Sequence, residues 1–124
     1  MLEIGLVHTS IVAVSEENLA VTMGSGDMEV FATPAMVALM ENAAMLCVAK
    51  ELPEGSSTVG GMIHISHIKP SAPGTLIEAT ATLTQIEGRK LTFKVEAKEK
   101  DGERIGEGTH LRFIVDRKKF LSKL

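Results

Sequence analysis

The sequence places one carboxylate, Glu41, inside a run from Ala35 to Ala49 in which Asn42 is the only other polar residue. Acidic side chains are rarely buried unless they have a partner or a function. Glu41 could therefore act as a general base or hold a water molecule for attack on a substrate. It could equally be a structural residue that pairs with an arginine or with Asn42 at a pocket wall or a dimer interface. The residues alone leave both interpretations open.

His67 is the second residue with catalytic potential. Alternation along the segment from Val59 to Ile68 puts it on the same face as Ile63 and Ile65, so its side chain is predicted to point toward the helix. An isolated histidine in such a position is more often a hydrogen-bonded core residue than a catalyst. The catalytic interpretation gains weight here because a helix start and a buried acid could lie within reach.

Thr33 and the paired glycines Gly60 and Gly61 complete the candidate site. Thr33 precedes Pro34, a pattern typical of a helix N-cap, where free N–H groups and the positive helix end favour negative charge. The two glycines stand at the start of a predicted strand. They indicate either a bulge or bare backbone that a ligand carbonyl can approach.

Metal and thiol chemistry are not expected. His64 and His67 are three residues apart on a strand and face opposite sides, and the sequence has no second cysteine and no HExxH pattern. The single Cys47 lies within the apolar run, where a small buried side chain in a reducing compartment is the simpler interpretation.

The composition excludes several classes of function. A chain of 124 residues is expected to form one domain, residues 1–124. A net charge of −3 and the absence of Trp and Tyr do not indicate the basic surface with stacking aromatic residues that binds nucleic acid. The apolar run is shorter than the roughly 20 residues that span a membrane. The first ten residues lack the charged and apolar regions of a secretion signal. We therefore expect a cytoplasmic domain without nucleic-acid or membrane partners.

One helix and a series of strands must position these residues. The helix is expected to start at Thr33 and to end before the Pro53–Ser57 segment, and its apolar character on all sides predicts burial. Two strands, Leu2 to Val14 and Leu19 to Met23, are expected before it.

Four more strands are expected after the helix, because the sequence period changes from helical to alternating. The last of them places Leu111, Phe113 and Val115 on one face and His110 and Arg112 on the other. Short turns between the strands favour an antiparallel sheet with one apolar face. The order predicts an α+β fold in which the helix lies on that face.

Four segments resemble the hotdog-fold thioesterase family of fluoroacetyl-CoA thioesterase. They are FATPAM with the following Glu41, VGGMIHISH, SAPG through EGRKLTF, and GEGTHLRFIVD, and the resemblance runs from about Leu6 to Phe120. It implies an antiparallel sheet wrapped around one long central helix, a homodimer, and hydrolysis of acyl-CoA near the subunit interface. By motif it implies that Thr33, Glu41 and His67 are catalytic and that Gly60, with Gly61 beside it, and Arg112 contact the substrate.

The resemblance implies an acyl-CoA thioesterase that needs no cofactor apart from the CoA of its substrate. The segment from Met23 to Val30 contains no aromatic residue, so a small acyl group other than fluoroacetyl is expected. Either Thr33 or a water held by Glu41 could attack the thioester. The alternatives are a non-catalytic acyl-CoA-binding module and, less favoured, a hotdog dehydratase. The intact Thr, Glu and His trio argues against the binding module. The sequence has no match to the aspartate and histidine, five residues apart on one segment, of the hydratase branch, which argues against the dehydratase.

Overall fold

One long helix packs against one face of a five-stranded antiparallel sheet in the computed structural model, which describes all residues from Met1 to Leu124. The strands are β1 (Val7–Ala13), β2 (Ser56–His67), β3 (Leu76–Glu87), β4 (Lys90–Glu99) and β5 (Arg104–Asp116). The helices are α1 (Ala20–Met23), α2 (Thr33–Ala49) and α3 (Arg117–Ser122). The sheet order is β1-β3-β4-β5-β2, so β1 and β2 are its edges. The α+β prediction is confirmed, and none of the helices has the length and apolar character needed to cross a membrane.

The core lies between α2 and the two central strands. Alternation along β3 and β4 buries every second side chain, namely Ile77, Ala79, Ala81, Leu83, Leu91, Phe93, Val95 and Ala97. The buried side of α2 contributes Met36, Leu39, Met40, Ala43, Ala44, Cys47 and Val48. The alanines on both surfaces allow the helix axis to approach the sheet closely. The alternation predicted from the sequence is confirmed in both strands.

The two strands predicted before the long helix need correction. The first covers only Val7–Ala13, because the chain turns at Gly5, whose φ of 102° suits glycine. The Leu19 to Met23 segment forms the single-turn helix α1 after one bridge between Leu19 and Phe31. Gly24, at φ 79°, ends that turn in the left-handed conformation, which is a helical C-terminal signal and not a strand signal.

The long helix α2 agrees with the prediction in extent but not in its surroundings. Ala32 is the N-cap and Thr33 the first helical residue, so the Thr33 side chain does not cap the helix. The side of α2 turned away from the sheet stays accessible, and Leu46 on that side is 42% exposed. The prediction of a helix buried on all sides is therefore wrong for one chain, since a single five-stranded sheet covers only one side of it.

The last strand, β5, turns its polar side chains inward. His110 pairs with Phe93 and Arg112 pairs with Leu91 of β4. Directly paired residues share a face of the sheet, so His110 and Arg112 face α2 with the buried side chains of β4. Phe113 is on the outer face and is 38% exposed. The prediction that the helix lies on the apolar face is therefore wrong for this strand, because strand register and not hydropathy sets the orientation here.

Candidate active site

Thr33 and His67 meet where α2 begins and β2 ends. The Thr33 Oγ1 atom lies 2.8 Å from His67 Nδ1. The backbone holds these two points together, because the Phe31 N–H donates to the Ser71 carbonyl at 3.0 Å. That bond joins the segment that enters the helix to the loop that leaves the strand. The sequence suggested that a helix start could lie within reach of the inward-facing histidine, and the two side chains are in contact here.

The second ring nitrogen of His67, Nε2, is buried and has no hydrogen-bond partner. Burial lowers the pKa of His67 below its usual value, and the nearby backbone of Lys69 opposes that shift only in part. The neutral ring is therefore favoured near neutral pH. A neutral imidazole whose proton is on Nε2 can accept a hydrogen bond, and ultimately a proton, from the Thr33 hydroxyl through Nδ1.

An open cavity of about 260 Å³ adjoins this pair. Thr33 and His67 are part of its wall, and α1 and the loop after it supply another part. The remaining lining residues are Ala20, Ser25, Val30, Phe31, Ile68, Lys69 and Pro70. The first hydrogen bond of α2 runs from the Met36 N–H to the Ala32 carbonyl. The N–H groups of Thr33 and Ala35 therefore have no acceptor within the helix, and they lie at the same end of α2 as the cavity. The arrangement combines a hydroxyl, a base and a positive helix end beside a small cavity.

Glu41 lies apart from that pair. Its side chain is 39% exposed, so in one chain it is only partly buried. Its Oε2 atom is 3.6 Å from Nη1 of Arg112 and 3.8 Å from Nε2 of His110. No hydrogen bond or ion pair joins Glu41 to Thr33 or His67. The pairing with an arginine that the structural interpretation anticipated is present, whereas a trio within one chain is not.

The two glycines of β2 are packed against side chains on opposite faces of the sheet. The register of β2 against β5 shifts between Gly60 and Met62, so the bulge, one of the two interpretations of these glycines, is present. A Cβ atom at Gly60 would lie 2.5 Å from Glu41 Oε2, and one at Gly61 would overlap the ring of Phe113. A larger residue at either position would therefore displace the Glu41 carboxylate or the Phe113 ring from the place it occupies here. Contact of either glycine with a substrate stays a prediction.

Arg112 is almost fully buried beneath β2, at 6% exposure. Its Nε donates to Thr58 Oγ1 at 2.8 Å and its Nη2 donates to the Thr58 carbonyl at 2.9 Å. Burial lowers the pKa of Arg112, and the Glu41 carboxylate opposes that shift. The contact with substrate that the resemblance implies for this residue stays a prediction.

His110 is the residue of this region that sequence reasoning did not single out. It is 1% exposed, its Nδ1 lies 2.7 Å from the Met62 carbonyl, and its Nε2 lies 3.2 Å from Arg112 Nη1. Its two-residue spacing from Arg112 indicated that the two side chains share a face of β5. The opposite face, which carries the apolar residues, was nevertheless expected to contact the helix. His64, in contrast, is exposed on the outer face, as predicted. No group of three or more His, Cys, Asp or Glu residues is arranged to hold a metal ion.

Comparison with known proteins identifies relatives over most of the chain. The sequence pattern of the fluoroacetyl-CoA-specific thioesterase family matches residues 14–118. The fluoroacetyl-CoA thioesterase of Streptantibioticus cattleyicolor is 40% identical over 97 residues, which are 77% of this chain and 68% of that protein.

Solved structures agree with these sequence matches. A point mutant of the fluoroacetyl-CoA thioesterase in complex with acetyl-CoA superposes with a TM-score of 0.92 at 30% identity, over 98% of this chain and 96% of that one. A hot-dog-like protein from Thermanaerovibrio acidaminovorans superposes with a TM-score of 0.87 at 20% identity, over 98% of this chain and 90% of that one. The fold is therefore the hotdog fold that the resemblance implied.

Proposed function

Because the chain belongs to the family of fluoroacetyl-CoA-specific thioesterases, we propose that it hydrolyses a short acyl-CoA thioester to the free acid and CoA with Thr33 and His67 as the reacting pair. Its general activity is that of an acyl-CoA thioesterase. The observation that carries the proposed roles is the 2.8 Å contact between Thr33 Oγ1 and His67 Nδ1 at the wall of a cavity. A hydroxyl within hydrogen-bond distance of a neutral imidazole is the arrangement from which a nucleophile is generated.

The proposed reaction has two stages. Thr33 Oγ1 attacks the thioester carbonyl while His67 Nδ1 takes the hydroxyl proton, and the carbon–sulfur bond then breaks as His67 returns that proton to the CoA sulfur. Water next attacks the Thr33 ester and gives up its proton to His67. The bond between Thr33 Oγ1 and the acyl carbon then breaks as His67 returns that proton to Oγ1, so the acid leaves and the Thr33 hydroxyl is restored. Backbone N–H groups at the start of α2 are suited to stabilise the negative oxygen in both stages.

The size of the cavity supports a short acyl group. At about 260 Å³ it falls just below the roughly 300–1,000 Å³ of sites that enclose drug-sized ligands. Phe31 and Val30 supply apolar contacts, and no aromatic residue occurs in the Met23 to Val30 segment above it. A small acyl group other than fluoroacetyl stays the expected substrate.

We further propose a homodimer, with the second copy on the uncovered side of α2 and the free edge at β2. β2 is a 12-residue edge strand that pairs only with β5, and long unpaired edges are normally covered. Glu41 lies on the half-exposed flank of α2, so in a dimer it could act at the Thr33–His67 pair of the partner. Sedimentation that gives a monomer at micromolar concentration would exclude this arrangement. A reducing cytoplasm stays the expected location.

The test of the activity is release of CoA from a panel of acyl-CoA thioesters, followed with a thiol-reactive dye. We expect turnover of short acyl groups, including acetyl, and a steep decline once the chain outgrows the cavity. Acid quenching during turnover should trap an acyl group on the Thr33 peptide, seen by mass spectrometry, and Thr33→Val should abolish that adduct. If every thioester binds and none is cleaved, the protein is the non-catalytic acyl-CoA-binding module.

A further inference from the structure

We infer that His110 is a positioning residue. Together with Arg112, on the face of the sheet that packs against α2, it holds Glu41 and the β2 bulge in their working geometry. The bulge is the segment Gly60–Met62. The inference rests on the proposed function, and it assigns to His110 a role that acts through other groups and not on the thioester.

The hydrogen bonds of His110 fix its protonation state. The Met62 carbonyl, 2.7 Å from Nδ1, can only accept, so Nδ1 must carry a proton. Nε2 lies 3.2 Å from Arg112 Nη1, which can only donate, so Nε2 must present its lone pair. The ring is therefore neutral and held in a single tautomer. Burial, with a smaller contribution from Arg112, lowers the pKa of His110 and keeps it neutral, although the Met62 carbonyl and Glu41 act in the opposite direction.

Arg112 continues the same chain of contacts toward the carboxylate. Its Nη1 bonds to His110 and lies 3.6 Å from Glu41 Oε2, while its other two nitrogens are bonded to Thr58. All three guanidinium nitrogens are thus engaged inside the protein, and little of the side chain is accessible to a ligand. With His110 as a lone-pair acceptor, Arg112 Nη1 is fixed in direction, and it presents a positive charge to Glu41.

The two β5 side chains hold the bulge from both ends. Arg112 binds Thr58, two residues before Gly60, and His110 binds the backbone of Met62, which ends the bulge. Gly61 has no partner in the register between β2 and β5, so the ladder itself does not fix this segment. Glu41 Oε2 occupies the space beside Gly60 where a Cβ would lie. The bulge, Glu41 and the two β5 side chains consequently form one packed unit.

Apolar residues could fill these two inward positions at a lower desolvation cost than a histidine and an arginine. Buried polar networks are worth keeping where a single geometry must be enforced, because they tolerate few alternative arrangements. A misplacement of about 1 Å in a catalytic constellation lowers turnover by up to roughly 10²-fold. Loss of His110 should therefore reduce kcat much more than substrate binding.

The test compares His110→Leu with His110→Asn, two side chains of nearly the same shape. Asn keeps a donor for the Met62 carbonyl, whereas Leu has no polar atom. We expect kcat of His110→Leu to fall about 30- to 100-fold with KM changed less than about threefold, and kcat of His110→Asn to stay within about fivefold of wild type. The melting temperature of each variant verifies folding. A folded His110→Leu protein with wild-type kcat, or a His110→Asn protein no better than His110→Leu, overturns the inference.

A second matched pair decides the question if His110→Leu does not fold. Thr58→Val removes the acceptor for Arg112 Nε with little change in volume, and Thr58→Ser keeps it. We expect Thr58→Val to lower kcat about tenfold with little change in KM, and Thr58→Ser to resemble wild type. Equal kcat for the two Thr58 variants overturns the inference. Failure of the proposed function itself would be distinguishable, because the wild-type protein would then release no CoA.

Discussion

His67 and His110 occupy inward-facing positions on neighbouring strands, β2 and β5, yet their surroundings differ. Burial lowers the pKa of both rings. His67 contacts the exposed hydroxyl of Thr33 at the wall of a cavity, whereas His110 lies between a backbone carbonyl and a guanidinium. Residue type and the direction of the pKa shift are therefore poor guides to which histidine reacts. The accessibility of the hydrogen-bond partner distinguishes them, because only the partner of His67 can reach a substrate.

The same contrast separates the two ends of the proposed site along α2. Thr33 and Glu41 are eight residues apart, which corresponds to about 12 Å along a helix. Thr33 contacts His67, whereas Glu41 lies near Arg112 and His110. One chain thus holds a reacting pair and a charged cluster that do not touch. How these two regions cooperate is the question that the predictions address.

The largest effect is expected from His67→Ala. Without its general base the Thr33 hydroxyl is not activated, and kcat should fall about 10³-fold while the Kd for CoA changes little. His64→Ala is the matched control, because His64 lies on the same strand and faces outward. CoA release and calorimetric CoA binding measure the two quantities. Near-normal turnover of His67→Ala would remove His67 from the mechanism.

The second prediction concerns cooperation between subunits. Thr33→Ala and Glu41→Gln homodimers should each be nearly inactive. If Glu41 works at the partner's pair, a heterodimer has one site with both residues intact. An equimolar mixture that is unfolded and re-paired should recover about a quarter of wild-type activity, since half the dimers are mixed and each has one working site. Heterodimers that form and stay inactive would confine the site to one chain, with water or the thioester between Thr33 and Glu41.

Much of the fold could be predicted from the sequence, because local signals and tertiary structure agree there. β3 and β4 alternate cleanly, and the Thr33-Pro34 start and the apolar run define α2. The prediction failed where distant contacts decide. α1 depends on hydrogen bonds from Ala20 and Val21 to the later segment, and the orientation of β5 depends on its register with β4.

The same limit applies to the site. Thr33 and His67 could each be singled out because a helix start and an inward strand position carry local signals, which suggested only that the two lie within reach of each other, and the structure places them in contact. His110 was missed because its importance comes from Met62 and Arg112, which reach it only through strand pairing. The partial exposure of Glu41 could not be foreseen either, because apolar composition alone does not show which side of a helix the sheet leaves open.

A smaller effect is expected from Gly60→Ala, which tests whether the bulge and Glu41 form one unit. The new methyl group would meet Glu41 Oε2, the end of a flexible and partly exposed side chain, so the carboxylate should move aside and the free energy of unfolding should fall by only about 1 kcal/mol. In a Glu41→Ala background the obstacle is absent, so the same change should cost less. Denaturant unfolding of the four proteins gives the coupling free energy. If the effects of the two substitutions on the free energy of unfolding add, Gly60 and Glu41 are not energetically coupled.

The smallest expected effect is a displacement of the acidic limb of the pH–rate profile. His67 must be neutral to accept the Thr33 proton, so kcat should rise as the pH increases through the His67 pKa and then level off. Burial lowers that pKa from 6.5, which places the midpoint below 6.5. No charged side chain contributes to the shift, since its causes are burial and the Lys69 backbone, so added salt should move the midpoint little.

His110→Asn should leave the midpoint unchanged, because His110 is locked by Met62 and Arg112 and does not contact the reacting hydroxyl. A midpoint that follows His110 and not His67 would reverse the assignment of the two histidines.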